Sequence, residues 1–173
     1  MKISLPGAYF GLGVLSTVFA QGPLMQAILP RYDLAKRNLI EAAEYMPASE
    51  YNFRLTPPQR SFAEWIDHNV LMNYNLCARV EGKASNPKKP ASQSKDDLVA
   101  ALKESFQYCD VVFQNMTDEK ALKAAEAGSR SAPPVDAMLS LLVSWNQHYG
   151  NLVGYLRAKG IVPPTTARAS GKK

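Results

Sequence analysis

Residues 135–159 read VDAMLSLLVSWNQHYGNLVGYLRAK. Within them Met138, Leu141, Leu142, Trp145, His148, Leu152, Tyr155 and Leu156 recur at steps of three and four. That is the period of a helix with one apolar stripe. Gly160 ends the run, and Pro163-Pro164 after it prevents a restart. A helix this long that is apolar on one side needs other helices to cover it, so the fold is decided by whether the chain supplies them.

It supplies three more. The first segment runs from Met25 to Tyr45, with Pro30 inside it, so its firm part is expected from Arg31. Leu34, Asn38, Glu41 and Tyr45 mark one side and Leu39, Ala42, Ala43 and Met46 another, and Pro47 stops it. The second opens at Ser61, an N-cap with Glu64 as its capping-box partner, and ends at Gly82. The third opens at Ser94, followed by Asp96 and Asp97 in the first turn, where the helix dipole favours acids. Leu98, Leu102, Ser105, Cys109, Val112 and Met116 then repeat at helical spacing. Thr117 to Lys120 begins another turn or short helix, and Gly128 to Pro134 breaks the chain again. No useful length of strand-like alternation exists. The expected class is all-α, a four-helix bundle.

The connections differ in character. Pro47 to Arg60 carries three prolines and a short extended look, and Tyr51 and Phe53 alternate in a way that lets both rings anchor it to the core. Lys83 to Ser94 is a basic loop without apolar periodicity, read chiefly as a solvated segment.

Composition sets the outer limits. With 173 residues, 46% apolar and 20% charged, the chain is one globular domain and not a collagen-like, disordered or polytopic membrane protein. Two cysteines are too few for a disulfide-built miniprotein or a four-cysteine zinc site, and two histidines limit imidazole-based metal chemistry. There is no Gly-rich phosphate loop and no basic run with interleaved aromatics, so nucleic acid is not an expected partner.

The first twenty residues are a separate matter. Lys2 is the only charge before Arg31, an apolar run spans Ala8 to Phe19, and Val18 and Ala20 stand at −3 and −1 of an A-x-A-like end. The run is shorter than the roughly 20 residues a bilayer span needs. The reading is a cleaved signal peptide over residues 1–20, a bundle over 21–164 and a mobile basic tail over 165–173. The mature protein is then exported, periplasmic or secreted, with no stable membrane anchor. Losing Lys2 lowers the formal charge from +5 to +4. In an oxidising compartment Cys77 and Cys109 could pair, or each could be a small buried thiol; the sequence leaves both open.

Chemistry points to the two histidines. His68 is mid-helix in the second segment, with Glu64, Trp65, Leu71, Met72 and Asn75 on its side of the wheel. His148 lies between Leu141, Trp145 and Leu152 in the fourth. Both are expected to face the bundle interior and each other, over a pocket formed with Glu64, Trp65, Asn75 and Trp145. Two inward imidazoles are costly to bury alone, and a divalent metal is one way to satisfy them. A catalytic zinc usually takes three protein ligands. The third place, one turn before His148, holds Ser144, a poor ligand for zinc or nickel. Glu64 could be spent as a cap, and Asn75 and Gln147 are weaker candidates. The bland alternative is a hydrogen-bonded pair of core histidines. Cys77 falls about 180° from His68 on the wheel, beside Ile66 and Val70, so the cysteines are not expected to be catalytic.

Several words together resemble the DinB-like (DinB/YfiT) superfamily. They are Ala42-Ala43-Glu44-Tyr45-Met46-Pro47, Tyr51-Asn52-Phe53-Arg54, and Ser61-Phe62-Ala63-Glu64 leading to His68. Ser94-Lys95 and Phe106-Gln107-Tyr108-Cys109-Asp110 follow. The last are His148-Tyr149-Gly150-Asn151-Leu152-Val153, Tyr155-Leu156-Arg157 and Gly160-Ile161-Val162-Pro163-Pro164. The resemblance covers about residues 31 to 164. It implies a four-helix bundle in which many members hold a divalent metal by three histidines, one from the second helix and two from a His-x-x-x-His on the last. His68 matches the first and His148 the last, while Ser144 stands in the middle place, so the triad is incomplete. Some members are thiol transferases using bacillithiol, mycothiol or glutathione, thiols that an exported chain meets little of. The expected function is a non-catalytic bundle that binds a metal weakly or an unidentified small molecule. The alternatives are a divalent-metal-dependent hydrolase or thiol transferase, and an envelope interaction module using the basic loop. A homodimer is compatible with the sequence.

Overall fold

The computed structural model describes residues 22–123 and 132–171. The signal peptide expected over residues 1–20 lies outside them, as does most of the break expected from Gly128. Regular structure among the described residues is entirely helical: α1 (Pro23–Tyr45), α2 (Phe62–Val80), α3 (Lys95–Gln114), α4 (Asp118–Leu122), α5 (Pro134–Ala158) and α6 (Pro164–Ala169), with a 3-10 turn at Ala48–Glu50.

The ends follow local chemistry. Ser61 Oγ accepts from the Glu64 amide at 3.2 Å while the Glu64 carboxylate accepts from the Ser61 amide at 2.7 Å, the reciprocal capping box. Ser94 Oγ accepts from the Asp97 amide at 3.2 Å. Gly82 and Gly160 each take φ +70°, the left-handed turn that closes α2 and α5. At both, the amide after the glycine returns to a carbonyl inside the helix, Lys83 to Ala78 and Ile161 to Leu156, at 2.9 Å.

α1 begins at Pro23, two residues before the expected Met25, and is regular through Pro30, ahead of the firm part expected from Arg31. Packing outweighs the local penalty of that proline. Met25 and Ile28 are buried ahead of it, and the Arg31 guanidinium donates to the Ala27 carbonyl at 2.6 Å. The start of α1 is capped from a distance. Asp118, opening α4, accepts from the amides of Leu24 and Met25 at 2.9 Å each. The carboxylate comes so close that a Cβ on Gly22 would meet it at 2.3 Å and have to push it aside.

α1 packs beside α3 and α5, and α2 beside the same two, so α1 and α2 stand on one diagonal of the bundle. The connector 46–61 makes that crossing. It is held by Tyr51, whose hydroxyl donates to the Ala43 carbonyl at 2.6 Å and whose ring meets Phe62 edge-on. Phe53 packs on Tyr155.

The core runs through Leu39, Phe62, Ile66, Phe106, Phe113 and Trp145, all essentially without exposure. Cys77 and Cys109 are joined in a disulfide that ties α2 to α3. Cys77 lies with Ile66 and Val70 on the core side of α2.

The tail is the second correction. Thr165 to Ala169 is not mobile chain but α6, docked on α1. Pro164 stands at its first helical position, where a missing N–H costs nothing, so the proline that was expected to prevent a helix starts one. Arg168 donates to Glu41 and to Asn38, and Thr165 bonds the Tyr149 hydroxyl at 2.9 Å.

Candidate functional site

α2 and α5 bring three rings together. The His68 and His148 centroids are 4.9 Å apart, and Trp65 stands 5.9 Å from His68 and 5.1 Å from His148. Both histidines are half-buried, so the cluster lies at the rim of the bundle and not at its centre.

Asn69, fully buried, sets the state of His148. Its Nδ2 donates to the Trp65 carbonyl at 2.8 Å, which turns its Oδ1 toward His148 Nδ1 at 3.0 Å. A carbonyl oxygen only accepts, so this network assigns the proton to Nδ1 and leaves the lone pair on Nε2. Burial, then His68, then Arg60 push the His148 pKa down to about 4. Burial and Arg60 lower that of His68, against the opposing charge of Asp67. Both rings are therefore neutral at pH 7.

Arg60 ends the connector. Its carbonyl accepts from the Tyr155 hydroxyl, and its guanidinium lies 5.0 Å from the centre of the Trp65 ring. Beside it opens a cavity of about 430 Å³, lined by Arg60, Trp65, Asn151 and Tyr155 together with Leu55 and Pro58. The Trp65 indole N–H is buried without a hydrogen-bond partner.

The other expected pocket residues lie elsewhere. Trp145 is fully buried among Tyr32, Phe106 and Phe113 and donates to Asn73 Oδ1 at 2.7 Å, so it belongs to the core and not to a pocket floor. Asn75 is exposed and accepts from Ser85 Oγ at 2.6 Å. Glu64 is occupied by its capping box and by Arg54, which holds both carboxylate oxygens at 2.7 Å. Ser144 is half-buried one turn before His148, and Gln147 is exposed.

Sequence reasoning missed Asn69 and Arg60. Asn69 falls at about 100° from His68 on the wheel, off the side that His68 shares with Glu64, Trp65 and Asn75. The available signal was Asn69 and Asn73, two amides four residues apart inside an apolar helix. Arg60 is placed by the diagonal connector, which no local pattern encodes.

A family model described as the DinB superfamily matches residues 31–151. The chain belongs to the DinB superfamily. A DinB-like protein from Bacillus cereus ATCC 10987, known from a crystal structure, has a TM-score of 0.64 and 12% identity, covering 80% of this chain and 95% of that one. At that identity the likeness speaks for the bundle fold alone. No curated protein matches the chain.

The superfamily's three-histidine metal centre can be tested against the residues present. Two imidazoles converge. Among the described residues no group of three or more His, Cys, Asp or Glu is placed to hold a metal. Ser144 offers a neutral hydroxyl at the third place, and the Arg60 cation adds charge of the wrong sign. Among the described residues, this DinB chain does not bring together the three histidine ligands of that centre.

Proposed function

We propose that this DinB protein is an exported, non-catalytic ligand-binding bundle whose degenerate histidine site takes a small oxygen-bearing molecule, and a divalent metal such as zinc or nickel only weakly. The observation that carries the reading is the pairing of His68 and His148 at 4.9 Å with a serine where a third imidazole would stand. Beside the pair the Arg60 guanidinium is suited to an acceptor oxygen, at a cavity within the usual size range for small ligands. Export is supported by the Cys77–Cys109 disulfide, a bond that persists in oxidising compartments.

One observation favours the metal-dependent hydrolase or thiol transferase instead. His148 directs Nδ1 to the Asn69 carbonyl oxygen, the arrangement that orients a metal-ligating imidazole by its other nitrogen.

Metal analysis of the purified protein separates the two readings, alongside a Ser144→His variant that rebuilds His-x-x-x-His. The non-catalytic reading expects zinc and nickel to be substoichiometric in the native protein and stoichiometric in the variant. Stoichiometric metal in the native protein would overturn it in favour of the enzyme.

A further inference from the structure

Arg60 closes the connector, and its backbone and side chain are used differently. The backbone around it is held from three directions. The Gln59 amide donates to the Thr56 carbonyl at 2.8 Å, Arg54 donates to the Gln59 carbonyl at 2.6 Å, and the Tyr155 hydroxyl donates to the Arg60 carbonyl. Arg54 is itself fixed by both oxygens of Glu64. The turn is therefore set before any ligand arrives. The Arg60 guanidinium makes no hydrogen bond or ion pair among the described residues and lies 5.0 Å from the centre of the Trp65 ring.

Its charge is uncompensated where it stands. No carboxylate lines the cavity beside it. Glu64 is matched by Arg54, Glu50 by Lys159, and Asp67 lines a separate cavity with Lys89. Gln59 and Asn151 add side-chain amides to the walls, and neither amide has a hydrogen-bond partner among the described residues. Both residues are exposed, so both can turn to a ligand as the buried Trp65 N–H cannot. The rest of the wall is apolar. Leu55 rests on α5 at Gly154, where a Cβ would touch it at 3.5 Å, and Pro58 and Trp65 complete it. A guanidinium fork donates two parallel N–H bonds to the two oxygens of a carboxylate. One unmatched cation balances one negative charge, so a monoanion fits better than a phosphate dianion or a neutral molecule.

We infer that the cavity at Trp65 binds a small monocarboxylate, its carboxylate on Arg60 and its apolar body against Leu55, Pro58 and the Trp65 ring. This rests on the ligand-binding reading of the histidine site and narrows its ligand from an oxygen-bearing molecule to an anion. It needs no metal, because His68 and His148 pack on Trp65 and are not part of the cavity lining.

The test titrates benzoate, benzamide and inorganic phosphate into the disulfide-bonded protein, with a metal chelator present and ionic strength held constant, and follows amide chemical shifts. Benzoate is expected to shift Gln59, Arg60, Trp65 and Asn151. Benzamide, of the same shape without the charge, and phosphate should bind at least about ten-fold more weakly. Arg60→Gln should lose about ten-fold or more in benzoate affinity, the worth of a charge-assisted hydrogen bond, and leave benzamide affinity unchanged. That variant should unfold at close to the native urea midpoint, because the carbonyl of residue 60 and not its side chain bonds Tyr155. Arg157→Gln removes an exposed cation of α5 outside the cavity and should change nothing. Undiminished benzoate affinity in Arg60→Gln would overturn the inference, as would an equal loss in Arg157→Gln or no shift at tens of millimolar benzoate. Equal affinity for benzoate and benzamide would sink it while leaving the ligand-binding reading in place. Benzoate binding only after zinc is added would also overturn it, since the carboxylate would then sit on a metal. The non-catalytic reading fails on a different result, stoichiometric metal in the native protein.

Discussion

The His148 ring meets three influences that disfavour its charged form: burial, the neighbouring His68 and the Arg60 guanidinium. Its pKa falls to about 4 from an ordinary 6.5. The unfolded chain therefore takes up a proton between pH 6.5 and 4 while the folded chain resists it, so folded stability is full above pH 6.5 and declines as the pH drops through that window. The ring is only half-buried, and with solvent screening allowed for, the loss should be about 1–2 kcal/mol. Urea unfolding at a series of pH values measures this. His148→Gln should flatten the decline across that window, and an equally steep decline in the variant would refute the assignment. At this scale the sequence was a partial guide. Helical spacing alone brought His68 and His148 to the same side of their helices. Spacing could not show that Asn69 would hold one of them, because an angle on a wheel gives direction and not reach. Asn75 and Trp145 were misplaced for the same reason. Each is near a histidine in angle, yet Asn75 turns to the α2–α3 loop and Trp145 to the aromatic core.

Elements in this chain are set by local rules wherever the rule concerns one helix, and by neighbours wherever it does not. Ser61, Glu64, Ser94, Gly82 and Gly160 mark ends that could be read directly, since a cap and its helix are contiguous. Pro164 misled because proline, a breaker in a helix interior, is a starter at the first turn, and Pro30 because Met25 and Ile28, buried ahead of it, keep the chain helical across it. The start of α1 depends on a partner about ninety residues away. It has no acid in its own first turn, and Asp118 provides one from α4 through two amides at 2.9 Å. Asp118→Ala should lower stability by about 1–2 kcal/mol, the usual cost of a lost cap. Hydrogen exchange should speed up in the first turn of α1 while α2 and α5 stay protected. Unchanged exchange at Leu24 and Met25 would show that the cap contributes nothing. Gly22→Ala should have a similar effect, because the new Cβ would displace the same carboxylate.

On the scale of the whole molecule, four amphipathic stripes announce a bundle but do not order it. The diagonal placing of α1 and α2 comes from the connector 46–61 and its aromatic anchors, whose alternation was legible while its course was not. Pairing of the cysteines was likewise undecided in sequence, because it needs two helices to meet at one level. The link joins residues 32 apart in sequence, and closing a loop of that length in the unfolded chain should be worth about 3–4 kcal/mol on an entropy model. That is a large share of a small domain's stability. Reduction, or Cys77→Ala with Cys109→Ala, should move the urea midpoint down strongly. The His68–His148 pair should survive it, since that site spans α2 and α5 and the disulfide spans α2 and α3. The proposed export needs such a bond to last, so the same prediction bears on it. Mass spectrometry of the cell envelope should find a chain beginning at Gln21 and lighter by two hydrogens than its reduced form. A chain with intact Met1 and free thiols in the cytosol, equally stable with and without reductant, would overturn both the compartment and the role given to the disulfide.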